Sequence, residues 1–138
     1  MDYMVDVKTL IQRAAEFHGH LGPYLVLGLR AGLAATNVLG YAPRETRAEV
    51  KTHLSTPQSC FIDGVQFSTG CTLGKMNIKL IEDDTQSAVT LYRGGRRVRV
   101  RVKDEVIAKL KSTSREMEKL ALTLAEEPDG QLFDIEVG

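Results

Sequence analysis

The stretch "SAVTLYRGGRRVRVRV", residues 87–102, constrains the fold more than any other, because its pairing can be checked against itself. Gly94-Gly95 can supply the two positive φ values of a two-residue hairpin turn. A turn there sets Leu91 opposite Val98 and Val89 opposite Val100 on one face. Thr90 with Arg99, and Ala88 with Arg101, then share the other. One side is apolar and the other polar, so a slip of one residue would turn every valine to the wrong face.

Helical patterns flank this hairpin. Leu10, Ile11, Ala14 and Ala15 fall on one face of a first helix predicted over Val5 to Phe17, after which Gly19 frees the backbone. Pro23 suits the first turn of a second helix, Pro23 to Val38, closed by Gly40. Its stripe of Leu25, Gly28, Leu29, Gly32 and Leu33 sets two glycines four apart. Glycine weakens a helix, so the pair implies close backbone contact with a neighbouring element. Arg47 to Leu54 reads as a strand with Ala48, Val50 and Thr52 on one side. Thr56-Pro57 is expected to open a third helix that runs through "QSCFIDGVQFST" and stops at Gly70. "MNIKLIE" is a strand, and Asp104 to Glu126 is helical with a break near Ser112-Thr113-Ser114. Asp129-Gly130 then turns the chain into a last strand, "LFDIEV". The expectation is one α+β domain over residues 1–138, an antiparallel or mixed sheet packed against helices, and not a doubly wound parallel sheet.

Composition narrows the class of function. A chain of 138 residues can bury a core without disulfide staples. Its 18 basic and 18 acidic side chains cancel, so no global field draws it to nucleic acid or to a membrane surface. Arg97, Arg99 and Arg101 share one sheet face, but only Tyr92 is near, whereas a nucleic-acid surface wants interleaved aromatics. That face reads as solvated, or as ion-paired with acidic residues of a partner or of the C-terminal helix. "MDYMVDVKTL" has no basic segment followed by an apolar run, so no signal peptide is expected. The apolar stretch from Tyr24 to Leu39 is interrupted by Arg30 and is too short to span a bilayer. Two cysteines make no disulfide framework, which points to a reducing cytoplasm.

Chemistry gathers in "FHGHLGPY". His18 and His20 could not chelate one ion from within a helix, where residues two apart point to nearly opposite sides. In irregular backbone they can, and Gly19 permits the departure; helix-end histidines bonding the last carbonyls are the competing reading. Cys60 sits at the start of the third helix, where free amides and the helix dipole favour a thiolate, with Asp63 one turn away on the same face. A small buried hydrophobe is the alternative for Cys60. Cys71 lies beyond the far end of that helix, about 15 Å along it, so one ion is not expected to take both sulfurs unless the helix is bent or short. "GCTLGK" could cradle an anion on its amides and Thr72, with Lys75 as point charge, although it lacks the P-loop pattern.

With "FHGHLGPYLVLGLRAG" and "SCFIDGVQFSTGCTLGK" together, the chain resembles the FmdE family, named for formylmethanofuran dehydrogenase, from the first helix through the hairpin. The resemblance implies an α+β domain, often dimeric, with a metal ion, usually zinc, held by histidine and cysteine in a cleft. His18 and His20 match the family's His-Gly-His, and Cys60 the cysteine of its "SCF-D" helix. Cys71 and Lys75 match its "GCT-GK" loop, and Gln66 a polar position before that loop. The dehydrogenase that gives the family its name is a complex that fixes carbon dioxide onto methanofuran with molybdenum or tungsten. This chain departs from the pattern at Gly22, where the family commonly has a cysteine, and at Tyr24, where it has glycine. Nothing after Cys71 could form the cysteine-rich zinc finger of longer members, so a second, structural zinc is not expected.

The leading expectation is therefore a zinc protein in which His18, His20 and one cysteine, Cys60 before Cys71, leave a fourth position open to a small one-carbon or cofactor-like ligand. An accessory component of a larger molybdenum or tungsten enzyme is the second, and a Cys60–Cys71 thiol redox protein ranks last because the helix keeps the sulfurs apart. A homodimer is expected in either of the first two.

Overall fold

The computed structural model describes residues 6–113 and 115–138; the expected helix start at Val5 and the expected break residue Ser114 lie outside them. Helix α1 covers Val7–His18 and α2 covers Pro23–Leu39; β1 is Arg47–Thr52 and α3 is Cys60–Thr69. Strands β2 (Ile78–Glu82), β3 (Ala88–Arg93) and β4 (Arg96–Val102) follow. The chain closes with α4 (Asp104–Ser112), α5 (Met117–Glu126), a short α6 (Asp129–Leu132) and β5 (Phe133–Val137). The sheet is ordered β2-β1-β3-β4-β5. Every pairing is antiparallel except β1 with β2, which run parallel with α3 as the crossover between them. This is an α+β fold with a mixed sheet.

The hairpin forms in the register its own sequence dictates: Leu91 faces Val98, Val89 faces Val100, Thr90 faces Arg99 and Ala88 faces Arg101. Its apolar face is buried under α2, and Ala48 and Val50 of β1, opposite Leu91 and Val89, are buried beside it. Helix α2 is the centre of the molecule. It packs on β3 and β4 along one side and on α3 and α5 along others, which is why it is apolar almost all round.

The glycines four apart have the consequence their spacing predicts. A Cβ added at Gly28 would lie 2.0 Å from the Phe61 carbonyl oxygen, and one at Gly64 would lie 2.2 Å from that of Leu25. The backbones of α2 and α3 thus approach as closely as they can, and only glycine leaves room. The buried Arg30 serves the same core. Its guanidinium donates to the carbonyls of Leu124, Ala125 and Glu127 and to Oδ1 of Asp129, closing the C-terminal end of α5.

Some boundaries differ from expectation. Helix α3 begins at Cys60 rather than at Thr56, and Thr56 does not cap it. The Thr56-Pro57 peptide is cis, and residues 55–59 form a run of tight turns whose carbonyls accept from the amides of Ser59, Cys60, Phe61 and Ile62. Strand β1 stops at Thr52, since the Leu54 amide turns to Oε1 of Glu82 instead of to a neighbouring strand. Helices α4 and α5 are separate, as the Ser112–Ser114 run suggested, and Asp129-Gly130 forms a helical turn rather than a simple bend.

Candidate metal centre

Three side chains from three segments meet where α1 ends, α2 begins and α3 begins. His18 is the last residue of α1, and Gly19 stops the helix with φ 104°, its amide donating to Ala15 O. That left-handed conformation is open to glycine at little cost. It swings the chain so that His20 returns beside His18, the ring centroids 4.7 Å apart. Pro23 then starts α2. The glycine contact between α2 and α3 delivers Cys60 to the same spot. One ligand atom each from His18, His20 and Cys60 lies within 4.8 Å of the others. A tetrahedral zinc ion with bonds of about 2.0–2.3 Å spaces its ligands about 3.5 Å apart, so closing the group takes a side-chain shift of roughly an ångström.

The residues fit a cation on a second count. Nδ1 of His18 lies 2.6 Å from Oδ2 of Asp63. A carboxylate accepting the Nδ1 proton leaves Nε2 with its lone pair, the state a metal ligand requires. That Nε2 is buried and has no hydrogen-bond partner among the described residues. Buried polar nitrogens are rarely left so, and a bound cation is one of the few ways to satisfy it. Asp63 is itself held, because Nε2 of Gln66 donates to its Oδ1 at 3.2 Å. The amide of Leu73 donates to Oε1 of Gln66 at 2.9 Å, so the loop after α3 braces the carboxylate.

The electrostatics of Cys60 overturn one expectation. Burial raises its thiol pKa first, the nearby Asp63 carboxylate raises it further, and the backbone amide opposes them. The contribution of the helix start, a hydrogen bond from the Cys60 amide, is outweighed by burial and by Asp63. A cation beside it would reverse that balance.

Cys71 is elsewhere. It is fully buried beyond the C-terminal end of α3, with its Sγ donating to Thr46 O at 3.6 Å, and it is not among the converging ligand atoms. The ten residues of α3 separate it from Cys60 by about 15 Å of helix, as a straight helix requires. Burial raises its pKa, against a hydrogen bond from Thr69 and the charge of Lys75. Lys75 Nζ donates to Thr72 Oγ1 at 3.1 Å in an exposed loop. Asn77 anchors that loop by accepting from the Thr72 amide and donating to the carbonyls of Pro43 and Thr46.

Beside the triad lies a chamber of ≈ 130 Å³, walled by Leu21, Pro23, Tyr24, Pro57 and Met117 and reaching His20 and Cys60. Gly22 belongs to the same wall: a Cβ there would come 3.1 Å from Nε2 of His20. Asp63 is the residue of this candidate site whose contact with His18 sequence reasoning missed. Its place one turn after Cys60 was visible, but its pairing with a histidine 45 positions earlier was not.

Residues 17–135 match the family described as "FmdE, Molybdenum formylmethanofuran dehydrogenase operon". A protein of Archaeoglobus fulgidus named "Probable S-adenosyl-L-methionine-binding protein" is 36% identical over 89 residues. The match covers 63% of this chain but 24% of that relative, so the chain corresponds to about a quarter of its length.

Proposed function

The chain belongs to the FmdE family, and on that premise we propose that it binds zinc through His18, His20 and Cys60, with a fourth position open to a small ligand. The observation that carries this is the buried, partnerless Nε2 of His18, beside His20 and Cys60, on a ring whose other nitrogen is tied to Asp63. Three protein ligands with one open place are the arrangement of catalytic rather than structural zinc. When bound there, the ion would supply Lewis-acid polarisation of a ligand oxygen, or lower the pKa of a bound water.

The chain's own residues do the rest. Asp63 holds the His18 ring and its tautomer. Gln66 holds Asp63. The chamber of ≈ 130 Å³ has room for a molecule of a few heavy atoms, about four waters in volume, which suits a one-carbon unit better than a whole cofactor. Thr72 and Lys75 are proposed to meet an anionic group of a longer ligand outside the chamber.

Gentle purification should yield close to one zinc per chain, and His20→Ala or Cys60→Ala should each remove it, while Cys71→Ser retains it. Metal content unchanged in both of the first two variants would end the proposal.

A second reading draws on the family's description, which names a dehydrogenase operon: an accessory component of a larger molybdenum or tungsten complex, with the His/Cys group structural or regulatory. Co-purification of a stoichiometric large partner from the native host would favour it. A cytoplasmic homodimer with no larger partner would favour the first. No helix among the described residues is long and apolar enough to cross a membrane.

A further inference from the structure

Strand β4 carries four arginines, and the fold gives them different fates. Arg101 is paired with Asp104 at 2.8 Å, and Arg99 donates to Oε1 of Gln86 at 2.6 Å. Both also stand opposite acidic residues of β5, Asp134 and Glu136. Arg97, at the hairpin turn, has no carboxylate within ion-pair distance among the described residues, whereas Arg96 alternates onto the α2 side of the strand and donates to Val38 O at 3.4 Å. Arg47 joins Arg97 from another strand. It faces Tyr92 in β3, which faces Arg97 in β4, so the three form one row across the sheet. The Arg47 guanidinium stacks over the Tyr92 ring at 4.8 Å, which orients it without neutralising it. Arg93 completes the group, but its donors are used on the Leu39 and Gly40 carbonyls and the Thr46 hydroxyl.

These side chains and the Gly94-Gly95 turn enclose a concavity of ≈ 460 Å³ in which Glu45 is the lone side-chain carboxylate. The volume is that of a small-molecule site. Basic side chains outnumber Glu45 here, and guanidinium forks match phosphate and carboxylate oxygens in pairs. The site is separate from the metal centre: β1 begins here at Arg47 and ends at Thr52, on the way to the turns that lead to Cys60.

We propose that this concavity binds a small oligoanion, a diphosphate or a polycarboxylate, through Arg47 and Arg97. A long nucleic-acid track is disfavoured because Arg99 and Arg101, which would extend the row, already have partners. The proposal does not depend on zinc.

The test is calorimetric titration of the full chain at low ionic strength with pyrophosphate, with citrate and with orthophosphate. Pyrophosphate, citrate or both should bind one per chain, at least tenfold tighter than orthophosphate, and the tighter of the two assigns the ligand class. The double variant R47Q/R97Q should lose at least tenfold in affinity, and Arg97→Gln alone should lose severalfold. Arg101→Gln should stay within twofold, and Glu45→Gln should tighten binding two- to threefold. Zinc content should be the same in all of these. No saturable binding of either oligoanion at millimolar concentration would overturn the proposal. So would an equal loss in Arg101→Gln, which would mean a diffuse field, or tighter binding of a single-stranded oligonucleotide than of either oligoanion.

Discussion

Oδ2 of Asp63 lies 2.6 Å from Nδ1 of His18, joining the third helix to the end of the first and setting which nitrogen of that ring is left to bind. Carboxylates that orient a ligating histidine typically contribute ten- to a hundredfold to metal affinity. Asp63→Ala should therefore weaken zinc binding by about that factor. Asp63→Asn, which can still accept from Nδ1, should fall between the two. The carboxylate also raises the Cys60 pKa, so its removal eases thiol ionisation. The oriented hydrogen bond and the lost negative charge outweigh that gain, and competition against a chromophoric chelator would measure the balance.

Gly22→Cys should close the open position. The backbone at Gly22 is extended, φ −135° and ψ 162°, which any residue adopts. A Cβ there would sit 3.1 Å from Nε2 of His20, so a thiol would start beside the triad after a shift of a few tenths of an ångström. The cobalt-loaded variant should show thiolate-to-cobalt absorption at about twice the intensity of the parent protein and hold its metal longer against chelator. Absorption equal to the parent's would show that position 22 does not reach the ion.

Gly64→Ala should destabilise the fold and loosen the site together. The new methyl would lie 2.2 Å from the Leu25 carbonyl oxygen and 2.4 Å from the Leu29 amide nitrogen, so α2 and α3 must separate. Overpacking of this kind costs about 1–3 kcal/mol, and contact with backbone puts this case at the upper end. Because Cys60 rides on α3, zinc affinity should fall as well. Gly74→Ala, whose nearest contact would be Thr72 Oγ1 at 3.9 Å, should leave the urea midpoint and metal binding unmoved.

Acid sensitivity should trace partly to Asp83. The Thr85 hydroxyl, the Gln86 amide group and the Thr85 backbone amide hold its pKa down, from 3.8 to about 2. A depressed carboxylate pKa stabilises the fold above the ordinary value, and that contribution is lost as pH falls through the folded one. Asp83→Asn should therefore lower the urea midpoint at pH 6, and the gap to the parent should shrink between pH 3.8 and about 2. A gap that stays constant over that window would assign the effect to something other than this charge.

Much of the architecture was legible before any coordinates. The hairpin register followed from alternation alone, because each strand checks the other over a separation of a few residues. The Gly28 and Gly32 spacing announced a close helix contact, and the straight-helix length of α3 correctly kept Cys71 apart from Cys60. The misses were local competitions. Thr56 and Pro57 have the residue types of a helix start, yet the turn carbonyls satisfied the amides first and the helix began at Cys60. The expectation of a thiolate at Cys60 gave way to burial and to the Asp63 charge.

By itself the sequence determined the elements that depend on near neighbours: helix faces, the turn at Gly94-Gly95 and a break at Gly19 that permits two histidines to meet. Only the tertiary structure decided which strands run parallel, that Asp63 orients His18, and that Arg47 joins Arg97 while Arg99 and Arg101 find partners. The physical reason is range. Periodicity and turn chemistry act over a handful of residues, whereas a hydrogen bond between positions 18 and 63 exists only once the α2–α3 contact has brought two distant segments within 2.6 Å.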